Sequence, residues 1–317
     1  MTDDFGVNYR LRPSKNIERK MMVEILRSLS HIKPIEDYQY IGFSSPYFSD
    51  FKLFHRELGL EDMVSIEEKE CLQNRFRFNK PFDCIQVEFG RSDEVLPELD
   101  MSRETILWLD YTTELKPYMF EDIENFCYSA PPGSVIFVTL RVGRMSVPEL
   151  RGSNYDTRFE KLENDVGEDN IPPDVNDIDL RDEWSLAQAY RLILLEKIKT
   201  DFLRPRNDRL EHELEFRQLA NFAYEDSSKM MTFGGILYSD EIVRQYEKAS
   251  FDDLDVVRTG QEQNHINPPR LTFAEMRDIE RWLPSSPTES EAPVTDEIKE
   301  RYADVYRYFP RFVESEM

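Results

Sequence analysis

Apolar positions along the first 140 residues alternate between two spacings. Short apolar runs at Tyr38–Phe43, Met63–Glu67, Cys84–Gly90, Ile106–Asp110 and Ser134–Leu140 have the length of β-strands. Between them the apolar positions recur every three or four residues, the spacing of one helix face. Tyr47, Phe51, Phe54 and Leu58 are one such set, and Ser45-Pro46 before them suits a cap and first helical turn. Gly59 suits the end of that helix. Ile17, Met21, Met22, Ile25, Leu26 and Leu29 form another face, with Ser14 as its expected cap. A short helix capped near Ser92 and one from about Pro117 to Tyr128 complete the series. Strands alternating with helices predict an α/β fold, a Rossmann-like, doubly wound and mainly parallel sheet.

The pattern changes after the fifth strand. Residues 143–182 are rich in Asp, Glu, Asn and Pro, and predict an acidic inserted loop, partly mobile. A long helix pattern resumes at Glu183 and runs through Phe202. Phe216–Tyr224 and Lys229–Tyr238 then read as an antiparallel hairpin turning at Glu225-Asp226-Ser227-Ser228. Thr272 with Glu275 three residues later signals a capping box. Pro284–Thr295 reads as a linker, and a last helix from Asp296 leads into Tyr306-Arg-Tyr-Phe-Pro-Arg-Phe312. The expected organisation is an N-terminal helical segment (1–37), a core (38–142 and 183–240), the acidic insert (143–182) and a C-terminal helical extension (241–317). No internal repeat is present.

Composition narrows the chemistry. A net charge of −23 argues against general nucleic-acid binding, which needs a Lys/Arg surplus, and against anionic membranes. Cys71, Cys84 and Cys127 are too few and scattered for a disulfide framework or zinc cluster. His31, His55, His212 and His265 lack metal-ligand spacing. The first twenty residues hold no continuous apolar leader and no run approaches a membrane span, so a cytoplasmic setting is expected. Gly-x-Ser-x-Gly and Walker A motifs are missing, which removes the common hydrolase and NTPase readings.

Candidate chemistry lies at the strand ends, where open α/β sheets bind ligands. Gly42 and Ser44 follow the first strand; they could let a ligand approach closely, or simply form a tight turn. Glu67 ends the second strand, where an acid can accept ribose hydroxyls, or be one of several solvated acids with Glu68 and Glu70. Gly90 and Ser92 after the third strand leave a slot for a flat base, or an N-capping turn. Asp110 and Tyr111 end the fourth strand. An acid directly after Leu-Trp-Leu needs the solvent rim or a partner, and a cationic ligand group would serve. Arg10, Arg12, Lys15 and Arg19 form a basic cluster that either holds an anionic ligand or pairs with the protein's own acids.

Together these segments resemble class I S-adenosylmethionine-dependent methyltransferases, and more closely a bacterial family assigned as O-methyltransferases. The resemblance rests on Tyr9-Arg-Leu-Arg-Pro-Ser-Lys15, Tyr40-Ile-Gly-Phe43, Tyr47-Phe-Ser-Asp-Phe51, Ser65-Ile-Glu67, Phe78-Asn-Lys-Pro81, Trp108-Leu-Asp-Tyr111 and Thr232-Phe-Gly-Gly235. It implies that Gly42 and Ser44 approach the methionine part of S-adenosylmethionine, Glu67 takes the ribose, and Gly90 and Ser92 border the adenine. It implies that Asp110 faces the cofactor's amino end and the reaction centre; Asp110 and Tyr111 are then the catalytic candidates to place or deprotonate an acceptor hydroxyl. Leu109-Asp110-Tyr111 is also similar to the Leu-Asp-His run of catechol-type enzymes, whose Asp binds magnesium. Their later Asp-Asn pair is replaced here by Val138-Thr-Leu-Arg141, so no metal is expected. The expectation is O-methyl transfer to an unidentified acceptor. The alternatives are a catalytically degenerate cofactor- or nucleotide-binding module acting through a protein partner or as a homo-oligomer, and a nicotinamide enzyme, disfavoured by the missing Gly-x-Gly-x-x-Gly.

Overall fold

The computed structural model describes residues 12–143, 155–182 and 184–310. Tyr9, Arg10, Leu11, Glu183, Phe312 and residues 144–154 of the acidic segment lie outside the described residues. Eight strands form one sheet: β1 (Gln39–Phe43), β2 (Asp62–Glu67), β3 (Ile85–Phe89), β4 (Thr105–Asp110), β5 (Val135–Arg141), β6 (Glu215–Glu225), β7 (Lys229–Tyr238) and β8 (Asn264–Ile266). Their order is β3-β2-β1-β4-β5-β7-β6-β8. The first five run parallel, and β7 inserts antiparallel between β5 and β6. The expected doubly wound sheet with its hairpin is therefore present.

Strand side chains alternate between two apolar layers, as the pleat requires. Ile41, Leu107, Leu109, Ile136 and Val138 face one layer, with helices α5 (Tyr118–Ser129), α6 (Tyr155–Val166) and α7 (Ser185–Glu196). Tyr40, Ile106, Trp108 and Phe137 face the other, with α1 (Pro13–Ser28) and α2 (Ser49–Leu58). Two short helices, α3 (Gln73–Asn79) and α4 (Ser92–Val95), flank β3. Gly234 and Gly235 lie where the β6–β7 register shifts between Gln218 and Ala220. A Cβ on Gly235 would stand 2.2 Å from the Arg217 carbonyl oxygen, so β6 can approach only a glycine there.

Four local expectations differ from the structure. Helix α2 begins at Ser49, not at Pro46, because residues 45–48 close a turn and Phe48 takes a left-handed backbone (φ 48°) with its ring fully buried. Helix α1 is not capped by Ser14; the Asp226 carboxylate from the β6–β7 turn accepts the N–H groups of Ser14 and Lys15, each at 3.1 Å. Residues 155–182 of the acidic segment are not a loop: α6 buries Leu162 and Val166, and Val175 and Leu180 follow into the same core. The C-terminal region adds a strand, β8, parallel to β6. Gln218 and Asn221 of β6 donate to carbonyls of residues 258–262 and hold that strap at the sheet edge.

The final segment folds back on itself. The α8 helix (Phe273–Glu280) carries the expected capping box. Its Asp278 accepts from the Ser290 hydroxyl and the N–H groups of Glu291 and Ala292, so the expected linker is tied down. Tyr302 of α9 (Asp296–Val305) and Tyr308 are buried against the chain's own core. Among the described residues no helix is long and apolar enough to cross a membrane.

Candidate functional site

The strand order reverses between β1 and β4, and a cleft of about 420 Å³ opens there at the carboxyl ends of the strands. Its size falls within the ~300–1,000 Å³ of small-ligand sites. Phe43, Ser44 and Ser45 after β1 form one wall, and Glu67 and Glu68 after β2 the next. Gly90–Asp93 after β3, Asp110–Thr113 after β4, and Tyr118 complete the rim. Arg19 and Asp50 reach in from α1 and α2. The structure thus brings together Ser44, Glu67, Gly90, Ser92, Asp110 and Tyr111.

Gly42 is the exception. It lies inside β1, paired with Ser65 and Trp108, and does not line the cleft. A Cβ there would meet the Tyr40 hydroxyl at 2.6 Å. The missing side chain makes room for that hydroxyl, which donates to Asp50 at 2.6 Å. Gly42 therefore shapes the site from behind, and Phe43, Ser44 and Ser45 supply the surface the resemblance assigned to it.

Glu67 stands half-buried at the end of β2, its Oε1 accepting the Lys69 N–H at 3.0 Å. Burial pushes its carboxyl up, and the Lys69 backbone bond partly offsets that rise. Gly90 takes φ +152°, and a Cβ would press on Val95 at 2.9 Å, so the turn between β3 and α4 needs glycine. Ser92 is the first residue of α4 and does not cap it; its hydroxyl donates to Asp122 at 2.6 Å.

Asp110 keeps 21% of its side chain exposed in the cleft wall, while its Oδ1 takes a 2.8 Å ion pair from Lys15. Lys15 is buried, also pairs with Glu18 at 2.8 Å, donates to the Tyr224 hydroxyl at 3.0 Å and sits 4.5 Å from the Trp108 ring centre. Glu18 in turn accepts from Thr232, which bonds Thr139, which accepts from the Trp108 indole. The basic cluster therefore splits: Lys15 neutralises the protein's own acids, and Arg19 lines the cleft.

Tyr111, a candidate to place or deprotonate an acceptor, has its hydroxyl already engaged. Its ring forms part of the cleft wall, but its hydroxyl donates to Asp122 of α5. Burial, with the Asp122 charge, pushes its ionisation well above the ordinary phenol range. Asp122 was not foreseen. It is fully buried, receives both the Ser92 and Tyr111 hydroxyls, and burial raises its carboxyl to about 6. The signal was an acid on the apolar face of α5, three residues after Met119 and four before Phe126. Among the described residues no group of three or more His, Cys, Asp or Glu side chains is placed to hold a metal ion.

Comparison with known proteins places the chain. Residues 7–317 match the family described as "Putative O-methyltransferase". No curated protein matches. Similar solved structures include Trm1 from Pyrococcus horikoshii in complex with S-adenosyl-L-methionine. It is 13% identical with a TM-score of 0.42, over 75% of this chain and 58% of that one. An O-methyltransferase family protein from Burkholderia thailandensis is 8% identical with a TM-score of 0.33, over 70% and 56%. A precorrin-6y C5,15-methyltransferase from Geobacter metallireducens is 12% identical with a TM-score of 0.31, over 67% and 86%. The chain thus spans less than two thirds of the Pyrococcus and Burkholderia proteins. Because the family match runs through nearly all of the sequence, the protein belongs to this O-methyltransferase family.

Proposed function

We propose that the protein is an S-adenosylmethionine-dependent methyltransferase that methylates an oxygen nucleophile without a metal. The observation that carries this is the cleft at the sheet's reversal point, where an acid ends β2, a strained glycine follows β3 and an acid ends β4. That array fits the cofactor's parts in order. Glu67 is placed for ribose hydroxyls. The Gly90–Ser92 backbone, with Tyr118 across the rim, offers a slot for the flat base. Asp110 offers negative charge to the cationic part of the molecule. The cofactor supplies an activated methyl group on sulfonium, so the protein's task is alignment and exclusion of water.

The chain's own residues divide that task. Lys15 compensates the Asp110 charge from below and holds the carboxylate toward the cleft. Asp110 is the candidate to orient or deprotonate an acceptor hydroxyl. Tyr111 and Phe43, whose rings meet edge-on at 5.2 Å, form an apolar wall beside it. Ser44, bonded to Ser65 at 2.7 Å, holds the first turn in place.

Calorimetric titration of S-adenosylmethionine and S-adenosylhomocysteine into the protein tests the reading, with Glu67→Ala alongside. Micromolar binding that weakens tenfold or more in Glu67→Ala, about 1.4 kcal/mol, is expected. Absence of binding by well-folded protein would overturn it. Transfer of a carbon-13 methyl to candidate acceptors, read by NMR, separates oxygen from nitrogen or sulfur products.

A further inference from the structure

The inner end of the cleft gathers buried charges of both signs. Arg19 of α1 is 4% exposed, Asp50 of α2 is 6% exposed, and both line the cleft beside Asp110. Buried charges persist only where other charges or hydrogen bonds compensate them. Asp110 has Lys15 behind it. Asp50 accepts the Tyr40 hydroxyl; burial raises its carboxyl, the Arg19 guanidinium pulls it back, and Asp110 adds to the rise. The three groups therefore lie close enough to feel one another.

Such an array selects a particular ligand group. A simple anion approaching Arg19 would meet Asp50 and Asp110. A simple cation approaching the carboxylates would meet Arg19, with Lys15 behind. A group carrying a carboxylate and an ammonium on the same carbon satisfies both signs and leaves the net charge of the cleft unchanged. Guanidinium geometry adds to this, because its planar fork matches a carboxylate with two parallel hydrogen bonds.

We propose that Arg19 anchors the α-carboxylate at the amino-acid end of the cofactor, while Asp50 and Asp110 receive its α-ammonium. This rests on the cofactor reading above. It makes helix α1 part of the binding site, although α1 precedes the sheet in sequence. The helix is seated for that role: Asp226 holds its first turn and Lys15 ties it to β4. Ligand binding and the seating of α1 are then coupled.

The test uses three ligands: S-adenosylhomocysteine, its decarboxylated analogue, and methylthioadenosine, which lacks the whole amino-acid end. Affinities are measured on the parent protein, Arg19→Gln and Arg19→Lys, with thermal melts for each. Hydrogen exchange across residues 13–28 is followed with and without ligand. The parent is expected to prefer S-adenosylhomocysteine to the decarboxylated analogue by tenfold or more. Arg19→Gln loses that preference and binds the decarboxylated analogue like the parent; Arg19→Lys falls between. S-adenosylhomocysteine slows exchange in α1 of the parent and not of Arg19→Gln. Unchanged S-adenosylhomocysteine affinity in folded Arg19→Gln overturns the assignment, as does equal loss of all three ligands. Should the variants not fold, the parent alone decides: equal affinity with and without the carboxylate overturns it. Failure of the parent to bind any adenosyl ligand overturns the cofactor reading itself.

Discussion

Lys15 and Asp122 are the two residues on which the site's electrostatics turn, and each makes a measurable claim. Lys15 faces two carboxylates, one of them on the fully buried Glu18, whose acidity burial already weakens. Removing one partner of a buried pair leaves uncompensated charge. Lys15→Met should therefore cost about 3 kcal/mol in denaturant unfolding, and adding Glu18→Gln should recover part of it. A cost that Glu18→Gln does not reduce would show that the pair is not coupled. Asp122 carries a different signature. Its carboxyl sits at about 6 when folded, against ~3.9 for an unfolded aspartate. The folded state thus holds an extra proton between those values, and stability falls as pH rises from about 4 through about 6. Asp122→Asn keeps an acceptor for Ser92 and Tyr111 but does not titrate. It should exceed the parent in stability by about 3 kcal/mol near pH 8, with the difference vanishing below about pH 4. A pH-independent difference would refute the assignment.

Among the elements, α6 and the β6–β7 hairpin depart most from what local patterning suggests. Acidic composition dominates residues 155–182, yet Phe159, Leu162 and Val166 fall at helical spacing and pack on the core. Leu162→Ala should cost 2–5 kcal/mol, about the price of a core leucine, and equilibrium unfolding will show it. A cost under ~0.5 kcal/mol would mean that the segment is a surface appendage. The hairpin does more than complete the sheet. Its turn supplies Asp226 to α1, and its Gly-Gly pair lets β6 bulge against β7. Thr232-Phe-Gly-Gly235 is thus a motif of strand packing, and Thr232 alone reaches the charged network beneath the site.

For the whole molecule, surplus negative charge is the dominant long-range term. A net charge of −23 repels itself in the folded state and is screened by salt within ~8–10 Å. Raising sodium chloride from about 0.02 M to about 0.5 M should raise the melting temperature by several degrees. The Lys15–Asp110 pair, with Lys15 buried and Asp110 only partly exposed, should respond less than surface pairs, because screening acts weakly inside the protein. A melting temperature that falls with salt would indicate that surface ion pairs outweigh the repulsion. The sheet gathers four loops at one edge, so the cleft and the network beneath it depend on the same strands.

Strand and helix periodicity, turn glycines and the acids at strand ends were all legible in the chain, because each arises from neighbours a few residues apart. That was enough for the alternating α/β order, the hairpin, and the gathering of Ser44, Glu67, Gly90, Ser92 and Asp110. Folding alone revealed the partners. Lys15 lies 95 residues from Asp110 and 209 from Tyr224, and no local rule connects them. The inward turn of Gly42, the commitment of the Tyr111 hydroxyl to Asp122, the cap from Asp226 and the entry of Arg19 into the cleft share that cause. Each is a long-range contact made possible by the sheet, and burial then makes its charge or hydrogen bond obligatory.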